Sequence, residues 1–208
     1  MCGIVGYIGN NDAASILISG LKKLEYRGYD SAGIAVHENS EIKIKKKKGK
    51  LNNLSSEIES EIFSGKTGIG HTRWATHGKP SDRNSHPHDD YNGEIVIVHN
   101  GIIENFESLK KELTEKGHQF KSDTDTEVVA HLISSNYEDD LKQAVEKSVQ
   151  KLEGSFAMAV MAVDQDDRII AVRKDSPLII GIGENENFLA SDIPAYLSRT
   201  NDFYILED

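Results

Sequence analysis

Strand-like apolar runs open and close the sequence, and three consecutive helical stretches lie between them. This order predicts an α+β fold, antiparallel sheets with helices on their outer faces. The opening run spans 3–9, with Ile4, Val5, Tyr7 and Ile8 as its apolar residues. Asn11 and Asp12 offer an N-cap to a helix whose apolar face is Ala14, Leu17, Ile18, Leu21 and Leu24. Residues 25–31 read as a polar loop, and 31–36 with 41–47 as a hairpin around Glu38-Asn39-Ser40. A weaker helix over 54–63 precedes a strand that starts at Thr67 and runs into His71-Thr72-Arg73-Trp74.

Glu94 to Asn100 is the most apolar strand in the middle of the chain, and it runs straight into Gly101. Helices are predicted over 106–116, 125–136 and 139–152, with Thr124 and Glu127 in capping-box spacing at the head of the second. Strands over 156–163, 168–173, 178–182, 188–190 and 203–206 close the sequence, with a short helix over 193–197 before the last. The chain reads as one domain over 1–208, large enough for a proper core. It stops at Glu207-Asp208 directly after a strand, as though cut from something longer.

The only cysteine is Cys2, first in the chain once Met1 is removed. A cysteine there carries its own α-amine beside the sulfur. The amine titrates near about 8 and the thiol near about 8.5, so the amine can take the thiol proton and base and nucleophile share one residue. On position alone, Cys2 reads more readily as a small hydrophobe at a strand start, so the rest of the chain must decide. A single cysteine excludes an internal disulfide and a multi-thiolate zinc site, and a reactive lone thiol suits a reducing cytoplasm. The formal charge of −10 argues against general nucleic-acid binding. No apolar run approaches a membrane span, and 3–9 is too short for a signal peptide.

Two apparent signals dissolve on inspection. Gly65-Lys66-Thr67 lacks the glycine five residues earlier that a phosphate-binding loop needs, since Ser60 stands there. The lysines from Lys45 to Lys48 read as the solvated end of a strand.

A thiol attacking an amide needs preorganised donors for the oxyanion, commonly a side-chain amide and a backbone N–H. Asn100 and Gly101 supply that pair, although Asn-Gly is also an ordinary turn. An amino-acid substrate needs a guanidinium for its carboxylate and an acid for its ammonium. Arg73 can grip a carboxylate through two parallel hydrogen bonds. Asp123 and Asp125 stand at a helix start, where a carboxylate also serves the helix dipole.

Five stretches occur in order: Cys2-Gly-Ile-Val-Gly, Glu25-Tyr-Arg-Gly-Tyr-Asp-Ser-Ala-Gly33, His71-Thr-Arg-Trp-Ala-Thr-His-Gly78, His99-Asn-Gly-Ile-Ile-Glu-Asn105 and Thr124-Asp-Thr-Glu127. With Leu189-Ala-Ser-Asp192, they resemble the class II glutamine amidotransferase domains of the N-terminal nucleophile hydrolase type. The resemblance covers essentially the whole chain. Within that group it is closest to the glutaminase domain of glucosamine-6-phosphate synthases. Amidophosphoribosyltransferases share the initial Cys-Gly-Ile and the Asn-Gly, but do not usually carry the forms seen at Arg73 to Gly78 and Tyr26 to Asp30.

The resemblance implies a four-layer αββα sandwich and hydrolysis of L-glutamine through a thioester on Cys2. It implies Asn100 and Gly101 as oxyanion hole, Arg73 on the glutamine α-carboxylate and Asp125 on the α-ammonium. Trp74, Thr76 and His77 belong to a loop that lines and closes the pocket. No cofactor is implied. The partner in the full-length protein is a C-terminal sugar isomerase domain that binds fructose 6-phosphate, and such proteins are homo-oligomers. The residues leave two alternatives. A metal site drawn through His71, His77, His86, His88 and His99 lacks ligand spacing. A non-catalytic glutamine-sensing module would need the pocket but not Cys2, and the chain has both.

Overall fold

The computed structural model describes residues 2–59, 61–74 and 78–208. The first half holds β1 (Gly3–Ile8), α1 (Ala13–Lys23), β2 (Ser31–Glu38), β3 (Glu41–Lys48), α2 (Leu51–Glu59), β4 (Thr67–Arg73), β5 (His88–Asp89) and β6 (Ile95–Ile103). Three helices follow, α3 (Phe106–Glu115), α4 (Asp125–Asn136) and α5 (Leu141–Val149). The chain closes with β7 (Gly154–Ala162), β8 (Gln165–Lys174), β9 (Ile179–Gly183), β10 (Glu186–Ala190) and β11 (Asp202–Ile205). The strands form a seven-stranded sheet, order β11-β9-β10-β1-β4-β2-β3, and a four-stranded sheet, order β5-β6-β7-β8. The ladders within both are antiparallel.

Strand periodicity sorts the side chains into three apolar layers. Val5, Tyr7, Ile34 and Val36 face α1 and α2 and pack on Leu17, Leu21, Leu51 and Leu54. Ile95, Ile97, Met158 and Val160 face α3, α4 and α5. Between the sheets lie Ile4, Ala35, Ile69, Val96, Val98, Ala157, Ala159, Met161 and Leu189. The result is the αββα sandwich, with helices as the two outer layers.

The sequence-level elements are present with shifted ends. The helix expected over 54–63 begins at Leu51 and ends at Glu59. Gly49, at φ +97°, turns the chain into it, and Leu51 and Leu54 bury its inner face. The third middle helix starts only at Leu141, because Asp140 caps it by accepting from the amides of Lys142 and Gln143. The two-residue strand β5 and the 3-10 turns Glu25–Arg27 and Asp82–Asn84 were not legible.

The lysine run is less solvated than its sequence suggests. Lys45 and Lys47 reach Glu61 and Glu57 of the α2 side, each at 2.5 Å, and Lys43 reaches Glu61 at 3.2 Å. Lys46 points to the other face, where its ammonium donates to Pro87 O at 2.9 Å. Burial there holds Lys46 below the ordinary lysine range.

The Thr124–Glu127 capping box is half formed. Thr124 Oγ1 accepts from Glu127 N, but the Glu127 carboxylate turns away to accept from Lys121 N and Ser122 N, both at 2.6 Å.

Candidate active site

The same alternation that builds the layers aims the functional groups. Cys2 has the parity of Ile4, the β1 residue that faces the second sheet. On β6, Val96 and Val98 face the first sheet, and Asn100 continues that row. Ile69, His71 and Arg73 form the corresponding row on β4, so His71 lies opposite Ile4 in the ladder. Polar ends of three strands therefore meet at one end of the interior layer.

Cys2 is held from three directions. Its carbonyl accepts from Arg27 Nε at 3.0 Å and from Asn100 Nδ2 at 3.1 Å. Its sulfur accepts from Trp74 N at 3.1 Å, and the thiol lies 3.4 Å from Trp74 O. Arg27 is itself fixed by an ion pair with Asp192 at 3.1 Å.

Asn100 does not sit in a turn. It pairs with Ala157 inside β6, and Gly101 pairs with Phe156. Gly101 has φ +118°, and a Cβ there would come within 2.0 Å of Ser155 O, so only glycine keeps the strand in place. The Asn100 carboxamide is oriented by His71, whose Nε2 lies 3.0 Å from both Asn100 Oδ1 and His99 O.

Asp125 begins α4, and its Oδ2 accepts from Ile103 N at 3.0 Å. Thr126 Oγ1 meets His99 Nδ1 at 2.9 Å and ties α4 to β6. Arg73 ends β4 and donates through Nη2 to Gly78 O at 3.3 Å. The indole of Trp74 is half exposed and meets Tyr29 edge-on, with centroids 5.4 Å apart.

These residues line a cavity of about 290 Å³. Its walls hold Cys2, Asn100, Gly101, Arg73 and Asp125, with Ile102 and Pro177 as apolar surface. A thiol, an amide donor, a guanidinium and a carboxylate thus face one space large enough for an amino acid.

Burial sets the electrostatics. It pushes the Cys2 thiol above its ordinary range; the Trp74 N–H and the charges of Arg73 and Arg27 oppose this without overcoming it. Burial also lowers Arg73, opposed by Cys2, Asp125 and Asp30, and a guanidinium so placed stays charged at neutral pH. Four histidines at this end of the interior are buried, and two of them, His86 and His99, line the cavity. His71 is pushed down to about 3 by burial, and burial likewise lowers His86, His88 and His99. All four are neutral at pH 7. Among the described residues no group of three or more His, Cys, Asp or Glu is arranged to hold a metal ion.

A family model described as a glutamine amidotransferase domain matches residues 71–198. The chain belongs to that family.

This amidotransferase domain is 57% identical over 208 residues to the glutamine–fructose-6-phosphate aminotransferase (isomerizing) of Clostridium tetani, all of this chain and 34% of the relative. It is 54% identical to the protein of the same name from Pyrococcus horikoshii, again all of this chain and 35% of that one. The chain spans about a third of the length of the curated relatives it matches. Among solved structures, the glutamine phosphoribosylpyrophosphate amidotransferase of B. subtilis superposes with TM-score 0.83 at 30% identity, covering 99% of this chain and 44% of that one. A glutamine aminotransferase class-II domain protein from Silicibacter pomeroyi, 15% identical with TM-score 0.60 over 91% of this chain and 88% of that one, shares the fold alone.

The amidotransferase domain brings Cys2, Arg73, Trp74, Asn100, Gly101 and Asp125 to one cavity. Thr76 and His77, also expected there, lie outside the described residues, as does Met1. Asp123, the other acid at that helix start, is bonded instead to Arg83 and Asn84. Sequence reasoning assigned no role to Arg27 or His71. Both stand inside the quoted motifs, but only the folded chain shows that Arg27, in a 3-10 turn, reaches the Cys2 carbonyl and that His71, on β4, reaches the Asn100 carboxamide.

Proposed function

We propose that this chain hydrolyses L-glutamine to L-glutamate and ammonia through a γ-glutamyl thioester on Cys2. The carrying observation is the single cavity that unites the Cys2 thiol with Asn100, Gly101, Arg73 and Asp125. Removal of Met1 frees the Cys2 α-amine, which takes the proton from Sγ. The sulfur attacks the side-chain carbonyl carbon of glutamine, and the resulting oxyanion is held by Asn100 Nδ2–H and Gly101 N–H. Asn100 spends one amide hydrogen on the Cys2 carbonyl and retains the second.

The C–N bond then breaks, and the α-ammonium returns its proton to the departing ammonia. Water, giving a proton to the same amine, attacks the thioester carbonyl. Glutamate leaves and the thiol is restored. Arg73 holds the α-carboxylate, and the remaining oxygen of Asp125 takes the α-ammonium. Trp74, Thr76 and His77 line and close the pocket. A binding-only module would have no use for a thiol gripped at its sulfur and its carbonyl.

We further infer that 1–208 is the glutaminase domain of a longer protein. There the ammonia passes to fructose 6-phosphate on a sugar isomerase domain beyond Asp208, giving glucosamine 6-phosphate. That protein is a homo-oligomer of the cytoplasm, with no metal or cofactor in the glutaminase step and no nucleic-acid or membrane partner. Support comes from the name shared by relatives about three times as long.

The test is intact mass after exposure of the Met1-free chain to a diazoketone glutamine analogue. A single adduct on Cys2, prevented by excess L-glutamine and accompanied by loss of glutamate release, is expected. An adduct elsewhere, or full turnover with Cys2 alkylated, would overturn the reading.

A further inference from the structure

His71 is fully buried between the two sheets, yet its placement is not that of a core residue. Nε2 lies 3.0 Å from His99 O and 3.0 Å from Asn100 Oδ1. A main-chain carbonyl can only accept, so Nε2 must carry the hydrogen, and the Asn100 atom facing it must also be an acceptor. That fixes which way round the carboxamide lies. Its oxygen faces His71 and its nitrogen faces Cys2, where Nδ2 donates to the Cys2 carbonyl at 3.1 Å. The ring itself has little freedom. It stacks on His86 with centroids 4.0 Å apart and planes 15° apart, and among the described residues its Nδ1 has no hydrogen-bond partner.

We infer that His71 is a positioning residue that locks the Asn100 carboxamide with its N–H groups toward the reacting carbon. An asparagine amide is nearly symmetric in shape, so without a donor on its oxygen side it can turn over and present a carbonyl to the developing oxyanion. That would replace attraction by repulsion at the one place where charge builds in the transition state. His71 forms a fork between Asn100 Oδ1 and the carbonyl of the preceding residue, so it ties the amide to its own strand. It is not among the residues that line the cavity. Burial keeps the ring neutral at working pH, so the lock does not come and go with protonation.

This rests on the reading of Asn100 as an oxyanion donor, and the experiment separates the two. Glutamate release by the Met1-free chain is measured for His71→Gln, His71→Asn, Asn100→Ala and the double variant His71→Asn/Asn100→Ala, with folding checked by circular dichroism. The glutamine amide reaches the position of Nε2, whereas the asparagine amide reaches only that of Nδ1. His71→Gln should therefore keep kcat close to the starting chain. His71→Asn should lower kcat by about tenfold or more, a part of what loss of an oxyanion donor costs, with KM little changed. The double variant should be no slower than Asn100→Ala alone, because a lock is worthless without the amide it holds.

A folded His71→Asn with unchanged kcat, losses that multiply in the double variant, or a His71→Gln as slow as His71→Asn would each overturn the positioning role. If His71→Asn fails to fold, His71→Gln decides: kcat near that of the starting chain supports the role, and a tenfold loss ends it. An Asn100→Ala variant with undiminished kcat would instead overturn the oxyanion reading on which the role depends.

Discussion

The main-chain N–H of Trp74 points at Cys2 Sγ from 3.1 Å, across 72 residues of sequence. It favours thiolate, but burial outweighs it and leaves the thiol above its ordinary range. A raised thiol pKa means less thiolate at pH 7. A chain that retains Met1, whose Cys2 nitrogen is an amide and no base, should therefore release no measurable glutamate. Its alkylation by iodoacetamide should be slow at pH 7 and climb as the pH passes above the ordinary thiol range. Rapid labelling at pH 7, or turnover by a preparation shown by mass to be unprocessed, would count against this account.

Cys2→Ala removes the proposed nucleophile and leaves the other cavity walls in place. Glutamate release should vanish while glutamine binding, followed by calorimetry, stays largely intact. Turnover near the starting rate would rule out Cys2.

Asn100→Ala and Arg73→Lys should fail differently. Loss of one oxyanion donor costs about 10²–10³ in kcat with little change in KM. Lysine at 73 keeps the charge but loses the paired donors, so KM should rise and kcat hold. Steady-state kinetics that exchange these two phenotypes would mean the roles are reversed.

Acceptor chemistry supplies another check. The described cavity at Cys2 is built around an amino acid's charges, and the net charge of −10 offers a phosphosugar no general attraction. Fructose 6-phosphate should neither be aminated by this chain nor quicken its glutamate release. Aminosugar detected by mass spectrometry, or clear stimulation, would place acceptor chemistry within these residues.

Glu127 tests how the head of α4 is held. Burial alone would raise its carboxyl, but the Ser122 hydroxyl and the amides of Lys121 and Ser122, each at 2.6 Å, with His131 at 3.9 Å beyond hydrogen-bond reach, bring it down to about 2 from 4.5. A depressed carboxyl contributes stability in full above its unfolded value, and loses it as pH falls toward the folded one. Glu127→Gln should cost on the order of 3 kcal/mol at pH 7. Its urea midpoint should also vary less than that of the starting chain between pH 5 and pH 2. Parallel pH curves for the two proteins would show that the carboxylate charge carries no such weight.

Layer order and most strands were legible because apolar pattern and burial coincide: β1, β7 and the 95–98 part of β6 are buried on both faces and read as apolar runs. The element β5 was not, since His88 and Asp89 pair with Ile97 and Val96 through backbone alone. Helix ends shifted where a cap outranked the apolar pattern, as Asp140 does for α5. In the site, Cys2, Asn100 and Arg73 announced themselves by chemistry. His71 did not, because a histidine in a strand looks the same whether it fills a core or steers an amide. Only the parity that sets it opposite Ile4, facing Asn100, distinguishes the two.

Cys2 leads into one sheet, and Asn100 and Gly101, the donors proposed for its oxyanion, lie in the other. Their separation is therefore set by the thickness of the side-chain layer between the sheets, where Ile4 and Ile69 meet Val98, Ala157 and Ala159. That layer works as a spacer as well as a core. A methylene added at Ala159, which does not line the cavity, would push Cys2 and the Asn100 strand of the proposed reaction apart, and a misplacement of about 1 Å can cost about 10²-fold in rate. Interior volume here is a rate parameter, and the tolerance of the chemistry is written into residues that never meet glutamine.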